Sequence, residues 1–212
     1  MTIVQPTLPL WDEPAPSHRD RIVADATDRV GWLKARARGV TATDVARLTS
    51  ERAVKTLAME KLLGSRFTGN AYTEHGRLRE PAIGRWAGHV YGMRSSSALF
   101  HAEGNTAHLA TPDGLRELDG RVELCEIKTT VHSWRGIPRN YLRQVWWQQY
   151  VLGAQRTLVV WERHDEFVPI SSEPECRWVD RDDTEIGRLI TLADSLLAAM
   201  RRDPALREIS PR

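Results

Sequence analysis

The stretch that most constrains this chain is residues 122–130, VELCEIKTT. It is β-branched and apolar through its middle, which marks a central strand of a sheet covered on its faces. Two charged residues nevertheless stand inside it. Alternate side chains of a strand share a face, so Glu126 and Lys128 point the same way, and Ile127 between them turns into the core. Cys125 turns inward as a small hydrophobe.

Upstream lies Thr111-Pro112-Asp113-Gly114, where an acid closes another strand-like run, with twelve residues between it and Glu126. If Asp113 sits beside Glu126, two carboxylates converge with only Lys128 as a base between them. Close carboxylates repel and one pKa rises, unless a hard cation neutralises them. Mg²⁺ suits such a set, because it takes oxygen ligands, keeps waters and leaves positions for phosphate oxygens. Lys128 would orient or deprotonate a water there, or neutralise charge on an attacked phosphate. An acid, a loop and a Glu-x-Lys also arise by chance on a strand with charged outward residues, so the pattern needs company.

The rest of the chain supplies the frame. Helical spacing predicts helices over 25–37, with Gly39 as stop, and over 51–63, with Gly64 after it. Between them Thr41 is an N-cap, with Asp44 completing a weak capping box. A longer helix spans 70–90; Pro81 predicts a break or kink near Arg79 and Glu80. Short strands are expected around Leu99–Phe100 and Ala107–Leu109, and a buried one over 156–161 (RTLVVW). Pro138 opens a helix through 152. Segments 167–170 and 176–179 read as two strands of a hairpin, and 182–202 as a last amphipathic helix. The fold class that follows is α/β: a mixed central sheet flanked by helices, with an N-terminal helical segment. Residues 1–18 carry four prolines without periodicity and read as a flexible tail, leaving 19–212 as one domain.

Composition excludes several classes. At 212 residues and 41% hydrophobic the chain builds one core, and no apolar run reaches the roughly 20 residues of a membrane span. The first residues have no basic start followed by an apolar core, so no secretory signal is read and a cytoplasmic location is expected. Two cysteines form neither a disulfide scaffold nor a four-cysteine metal site. Seven histidines lack HxH or HExxH spacing, against a zinc enzyme. Residues 18–94 hold 15 Lys and Arg against 8 Asp and Glu, and residues 128–163 hold six against one. Residues 164–185 hold two against eight acids. Basic blocks beside an acidic strip suit a polyanion held on one side, or are ordinary solvated surface.

Pro112-Asp113 with Glu126-Ile127-Lys128 resembles the PD-(D/E)XK nuclease signature. Gly76, Glu80 and Pro81 (in EHGRLREP) resemble the helix of the YqaJ-like viral recombinases, the phage lambda exonuclease family, with His75 where that family usually has Trp. Trp32, Arg36, Gly39 and the Thr41-Ala42-Thr43-Asp44 run resemble the same family's N-terminal motif, and Tyr141 and Gln144 its later helix. In place of a frequent second Gln this chain has Trp146, with Gln148 one turn past Gln144. The resemblance implies a restriction-endonuclease-like core over about 28–163, with 164–212 as a C-terminal addition. It implies that Asp113, Glu126 and the Ile127 carbonyl hold Mg²⁺ and that Glu80 helps hold a second ion or its waters; Mn²⁺ would substitute. Lys128, Tyr141 and Gln144 join the catalytic group by the same resemblance. Arg36, Thr43 and Thr111 would hold a DNA 5′-phosphate, for which Arg offers a planar fork of donors. The implied activity is a 5′→3′ exonuclease on double-stranded DNA ends in phage-type recombination, in a bacterial or phage-infected cell. A homotrimer and a single-strand annealing partner are implied with it. Two alternatives stay open: an endonuclease of the same fold, and an inactive DNA-end-binding subunit. Trp134, in a loop beside Arg135, reads either as a group that stacks on DNA or as packing beneath the loop.

Overall fold

The computed structural model describes residues 17–25, 27–64 and 69–202; the proline-rich segment, except Ser17 and His18, and Trp11 lie outside them. Ser17 caps a short 3-10 turn, His18–Arg21, in which His18 is buried against Phe100. The chain continues through β1 (Ile22–Ala24), α1 (Arg29–Arg38), β2 (Val40–Thr41), α2 (Ala42–Arg47), α3 (Glu51–Leu63) and α4 (Ala71–Tyr91). Then follow β3 (Arg94–Ser95), β4 (Leu99–Ala102), β5 (Asn105–Ala110), β6 (Gly114–Leu118) and β7 (Arg121–Thr130). The last elements are α5 (Arg139–Leu152), β8 (Arg156–Asp165), β9 (Val168–Pro169), β10 (Glu175–Asp180) and α6 (Asp183–Arg202).

The central sheet has the order β10-β8-β7-β6-β3, with β9 paired to the far end of β8. Strands β7 and β8 are parallel, joined by the crossover helix α5, and the other pairs are antiparallel. This is the expected mixed sheet, with the 122–130 strand in its interior. A second sheet, β1-β4-β5-β2, was not legible in the sequence, because its strands are short and β2 has two residues. The main core gathers Trp146, Trp147 and Val151 of α5, Val54 and Leu57 of α3, and Leu189, Leu196 and Met200 of α6. Helix α4 covers the opposite face, packing Ile83 and Ala87 on Cys125, Ile127, Leu158 and Val160.

Two expectations are corrected. Helix α4 runs through Pro81 as one element, so of the expected break or kink near Arg79 and Glu80 the break does not occur. A helix-interior proline costs on the order of 3 kcal/mol, and the inner face carrying His75, Ile83 and Ala87 against the sheet outweighs it. The hairpin is formed by β8 and β9, not by the two strands at 167–170 and 176–179, because β8 extends to Asp165 and pairs with both β9 and β10. Its two-residue turn takes Glu166 and Phe167 into left-handed backbone, and the Phe167 ring lies against Tyr72 and His75 of α4. The capping box of Thr41 and Asp44 forms as expected, and α3 spans the expected residues. Among the described residues no helix is long and apolar enough to cross a membrane.

Candidate active site

The ladder between β6 and β7 ends at the pair Gly114 and Cys125. Beyond it β7 continues with no strand on that edge, and Asp113 fills the gap: its carboxylate accepts the Ile127 N–H at 2.7 Å. The N–H and C=O of one strand residue leave on the same edge, so the Ile127 carbonyl opens into this gap beside Asp113. Glu126 and Lys128 face α5, as the alternation requires. Glu126 is 1% exposed and carries four side-chain oxygen contacts' worth of demand that the protein meets with three donors. Lys128 and Gln144 both donate to its Oε1, and Gln148 donates to its Oε2 at 2.7 Å. Tyr141, one turn before Gln144, places its ring 5.2 Å from the Lys128 ammonium.

Charge in the gap is unbalanced. Burial, then Glu126 and Glu80, push the Asp113 carboxyl well above the ordinary range, against the opposing effect of Lys128 and the Ile127 N–H. Glu80 is exposed, one turn after Gly76 and one turn before Ile83 on α4, and its carboxyl is pushed up by partial burial and then by Glu126. Burial works against the Lys128 ammonium, but Glu126 and Asp113 outweigh it and hold the lysine above its usual range. Three carboxylates thus feel one another with a single ammonium among them.

Hard oxygen donors in anionic surplus fit a divalent cation such as Mg²⁺. The side chains are at present closed on protein donors, and among the described residues no three His, Cys, Asp or Glu side chains stand in metal-binding geometry.

Of the residues expected at a phosphate, Thr43 and Thr111 follow two paired strands of the second sheet. Parallel pairing of Thr41 with Leu109 sends β2 and β5 out on the same side, towards Thr43 and Thr111. Thr43 is exposed in the first turn of α2. Arg36 stacks on Trp32, its guanidinium 4.3 Å from the ring, and burial lowers its pKa while nearby Asp44 opposes that. Lys61 ties this group, donating to Asp44 at 2.9 Å and to the Arg36 carbonyl at 3.1 Å. The Thr111 hydroxyl is buried without a partner among the described residues. Arg143 of α5 donates twice to the Ala46 carbonyl, at 3.0 and 2.7 Å, and so fixes α2 against the helix carrying Tyr141 and Gln144.

Sequence reasoning missed the weight of Gln148. It is fully buried and holds the second oxygen of Glu126, a contact that its spacing of one turn from Gln144 permits. Trp134 resolves towards packing: its ring lies on Trp161, 5.0 Å between centroids. His132 is exposed, and Trp146 and Trp147 are core.

A search of curated protein sequences finds no match. The fold is similar to LHK-Exo in complex with dAMP, at 25% identity and a TM-score of 0.64, covering 80% of this chain and 91% of that one. A second structure of that alkaline exonuclease, from Laribacter hongkongensis, matches at 24% identity with the same coverage and TM-score. A phage related exonuclease from Haemophilus somnus 129PT shares the fold at 12% identity, TM-score 0.62, covering 81% and 96%. The YqaJ-like viral recombinase domain matches residues 31–155, more than half of the sequence, and the chain belongs to that family.

Proposed function

We propose that this protein is a divalent-metal-dependent DNA exonuclease that works 5′→3′ from double-stranded ends. The family and the likeness to an alkaline exonuclease support a nuclease. The observation that carries the finer reading is the Asp113 carboxylate accepting the Ile127 N–H at 2.7 Å, at the end of a strand ladder where Ile127 leaves a carbonyl free of β6, beside the buried Glu126 and its Lys128 contact.

Asp113, Glu126 and the Ile127 carbonyl would hold the cation, with Glu80 supporting a second. When bound, such ions supply an activated water and neutralise charge on the leaving oxygen. Lys128 orients the water and offsets negative charge at the phosphorus. Gln144 and Gln148 fix the plane of the Glu126 carboxylate, and Tyr141 keeps Lys128 in place. Arg36, Thr43 and the unpartnered Thr111 hydroxyl grip the 5′-phosphate and so set polarity; an arginine fork suits that group. Trp32 beneath Arg36 keeps the fork flat against the pocket.

The test is a digest of end-labelled linear duplex in Mg²⁺, with and without a 5′-phosphate. Phosphorylated ends are expected to be degraded from the 5′ side. Lys128→Ala is expected to stop cleavage while DNA is still bound, and Arg36→Ala to narrow the preference for phosphorylated over hydroxyl ends. Nicking of closed circular DNA without dependence on ends would replace this reading with an endonuclease.

A further inference from the structure

The loop 131–138 between β7 and α5 has few fixed points. One hydrogen bond, from the His132 N–H to the Thr130 hydroxyl at 3.0 Å, closes its start. Val131, His132, Ser133, Arg135 and Gly136 are exposed. Trp134 and Ile137 turn inward against the core. The helix that follows begins without a side-chain cap, because Pro138 stands at its N-cap. Tyr141 is the third residue of that helix; its N–H donates to the Pro138 carbonyl at 2.9 Å, which holds its backbone but not its ring.

The Tyr141 ring is held from the side. Lys128 and Trp161 are register partners on β7 and β8 and point to the same face of the sheet. Trp161 is buried. Trp134 lies on Trp161 at 5.0 Å and an interplanar angle of 30°. Tyr141 lies against Trp134 at 5.3 Å and 39°, and the Lys128 ammonium stands 5.2 Å from the Tyr141 ring. The four side chains form a closed circuit: two sheet residues side by side, a loop tryptophan on one, a helix tyrosine bridging back to the other. Aromatic pairs of this kind attract beyond their buried area and favour particular ring orientations.

We infer that Trp134 is a positioning residue that holds Tyr141, and through it Lys128, in register with Glu126. The inference rests on the hydrolytic reading above for its effect on rate, and on the ring geometry alone for its effect on Tyr141. It assigns the loop tryptophan to the protein side of the site and not to DNA.

Two measurements test it. In protein labelled with 3-fluorotyrosine, four tyrosines give four ¹⁹F signals, and Tyr141→Phe assigns one. Trp134→Leu is expected to move the Tyr141 signal to the solvent-exposed position, and Trp134→Phe to leave it near its original place. On linear duplex in Mg²⁺, Trp134→Leu is expected to lower kcat about tenfold or more, with KM and DNA affinity within about twofold, and Trp134→Phe to restore kcat to within about threefold. Adding Trp134→Leu to Tyr141→Leu is expected to cost nothing further, because both act through one contact. An unmoved ¹⁹F signal in Trp134→Leu, additive losses in the double variant, or a loss confined to DNA affinity would each overturn the inference. Absence of hydrolysis by the wild-type protein would refute the hydrolytic reading instead, and the ¹⁹F shift would still decide whether Trp134 holds Tyr141. Should Trp134→Leu melt below the assay temperature, Trp134→Met replaces it in both measurements.

Discussion

Strand β7 buries two glutamates three residues apart, and they are treated in opposite ways. Glu123 faces α4 and is held by two guanidiniums, Arg116 at 2.6 Å and Arg156. Burial disfavours its charge, but the hydrogen bonds from Arg156 and Arg116 outweigh that and set its carboxyl below the ordinary range. Arg156 is itself stacked on Trp178 at 4.1 Å. Glu126 faces α5 and receives two neutral amides and one ammonium, with Asp113 and Glu80 adding negative charge around it. One acid is matched by cations and closed; the other is crowded by acids and left short of positive charge. Acids crowded in the second way cluster at functional sites, whereas the first arrangement needs nothing from outside.

The contrast predicts that the two glutamates fail differently. Glu126→Gln is expected to remove hydrolysis of linear duplex by a factor of about 10³ or more, on the order of 4 kcal/mol of barrier, with the thermal midpoint equal to or above that of the wild type. A gel digest and a melt on the same preparation check it. A variant that both melts early and keeps its activity would erase the distinction.

Glu123→Gln is expected to do the reverse. It leaves two arginines facing a neutral amide and is expected to lower stability by about 2 kcal/mol, a value discounted because Arg156 is 40% exposed. Activity per folded molecule should stay within about twofold. The pH dependence sharpens this. A carboxyl held below its unfolded value of about 4.5 contributes stability that is complete above that pH and lost as pH falls through the folded value. The gap in denaturant midpoint between wild type and Glu123→Gln is therefore expected to be full at neutral pH and to close in acid. A gap that widened in acid would mean that Glu123 is not held by its arginines.

The smallest effect is expected at Gln148. Gln148→Ala frees Oε2 of Glu126 but leaves the Lys128 and Gln144 contacts to Oε1. A loss of about tenfold in kcat/KM, about 1.4 kcal/mol, is expected, with a higher Mg²⁺ concentration needed for half-maximal rate. An Mg²⁺ titration of the initial rate reads it, and an unchanged titration would confine Gln148 to packing.

Much of this was legible beforehand, for identifiable reasons. Alternation along 122–130 fixed which way Glu126, Ile127 and Lys128 point, because a strand has a period of two whatever surrounds it. The Thr41 and Asp44 box and the glycine stop after α3 are local chemistry, and the chain forms them where the residues stand. The course of α4 through Pro81 was not legible, since the contacts that outweigh the proline come from β7 and β8, far along the chain. The pairing of β9 with β8 was hidden for the same reason, as was the two-residue strand β2.

The sequence by itself determined the chemistry on offer: two acids and a lysine on neighbouring strands, an arginine and two hydroxyls upstream, and a chain whose motifs occur in the family's order. Only the tertiary structure decided how those charges are balanced. Glu123 and Glu126 look alike as letters, and nothing local separates them. Their difference comes from which face of the sheet each occupies and from Arg116, Arg156, Gln144 and Gln148, which long-range packing delivers to one or the other. Electrostatic balance depends on distance in space, and distance in space is what a one-dimensional reading lacks.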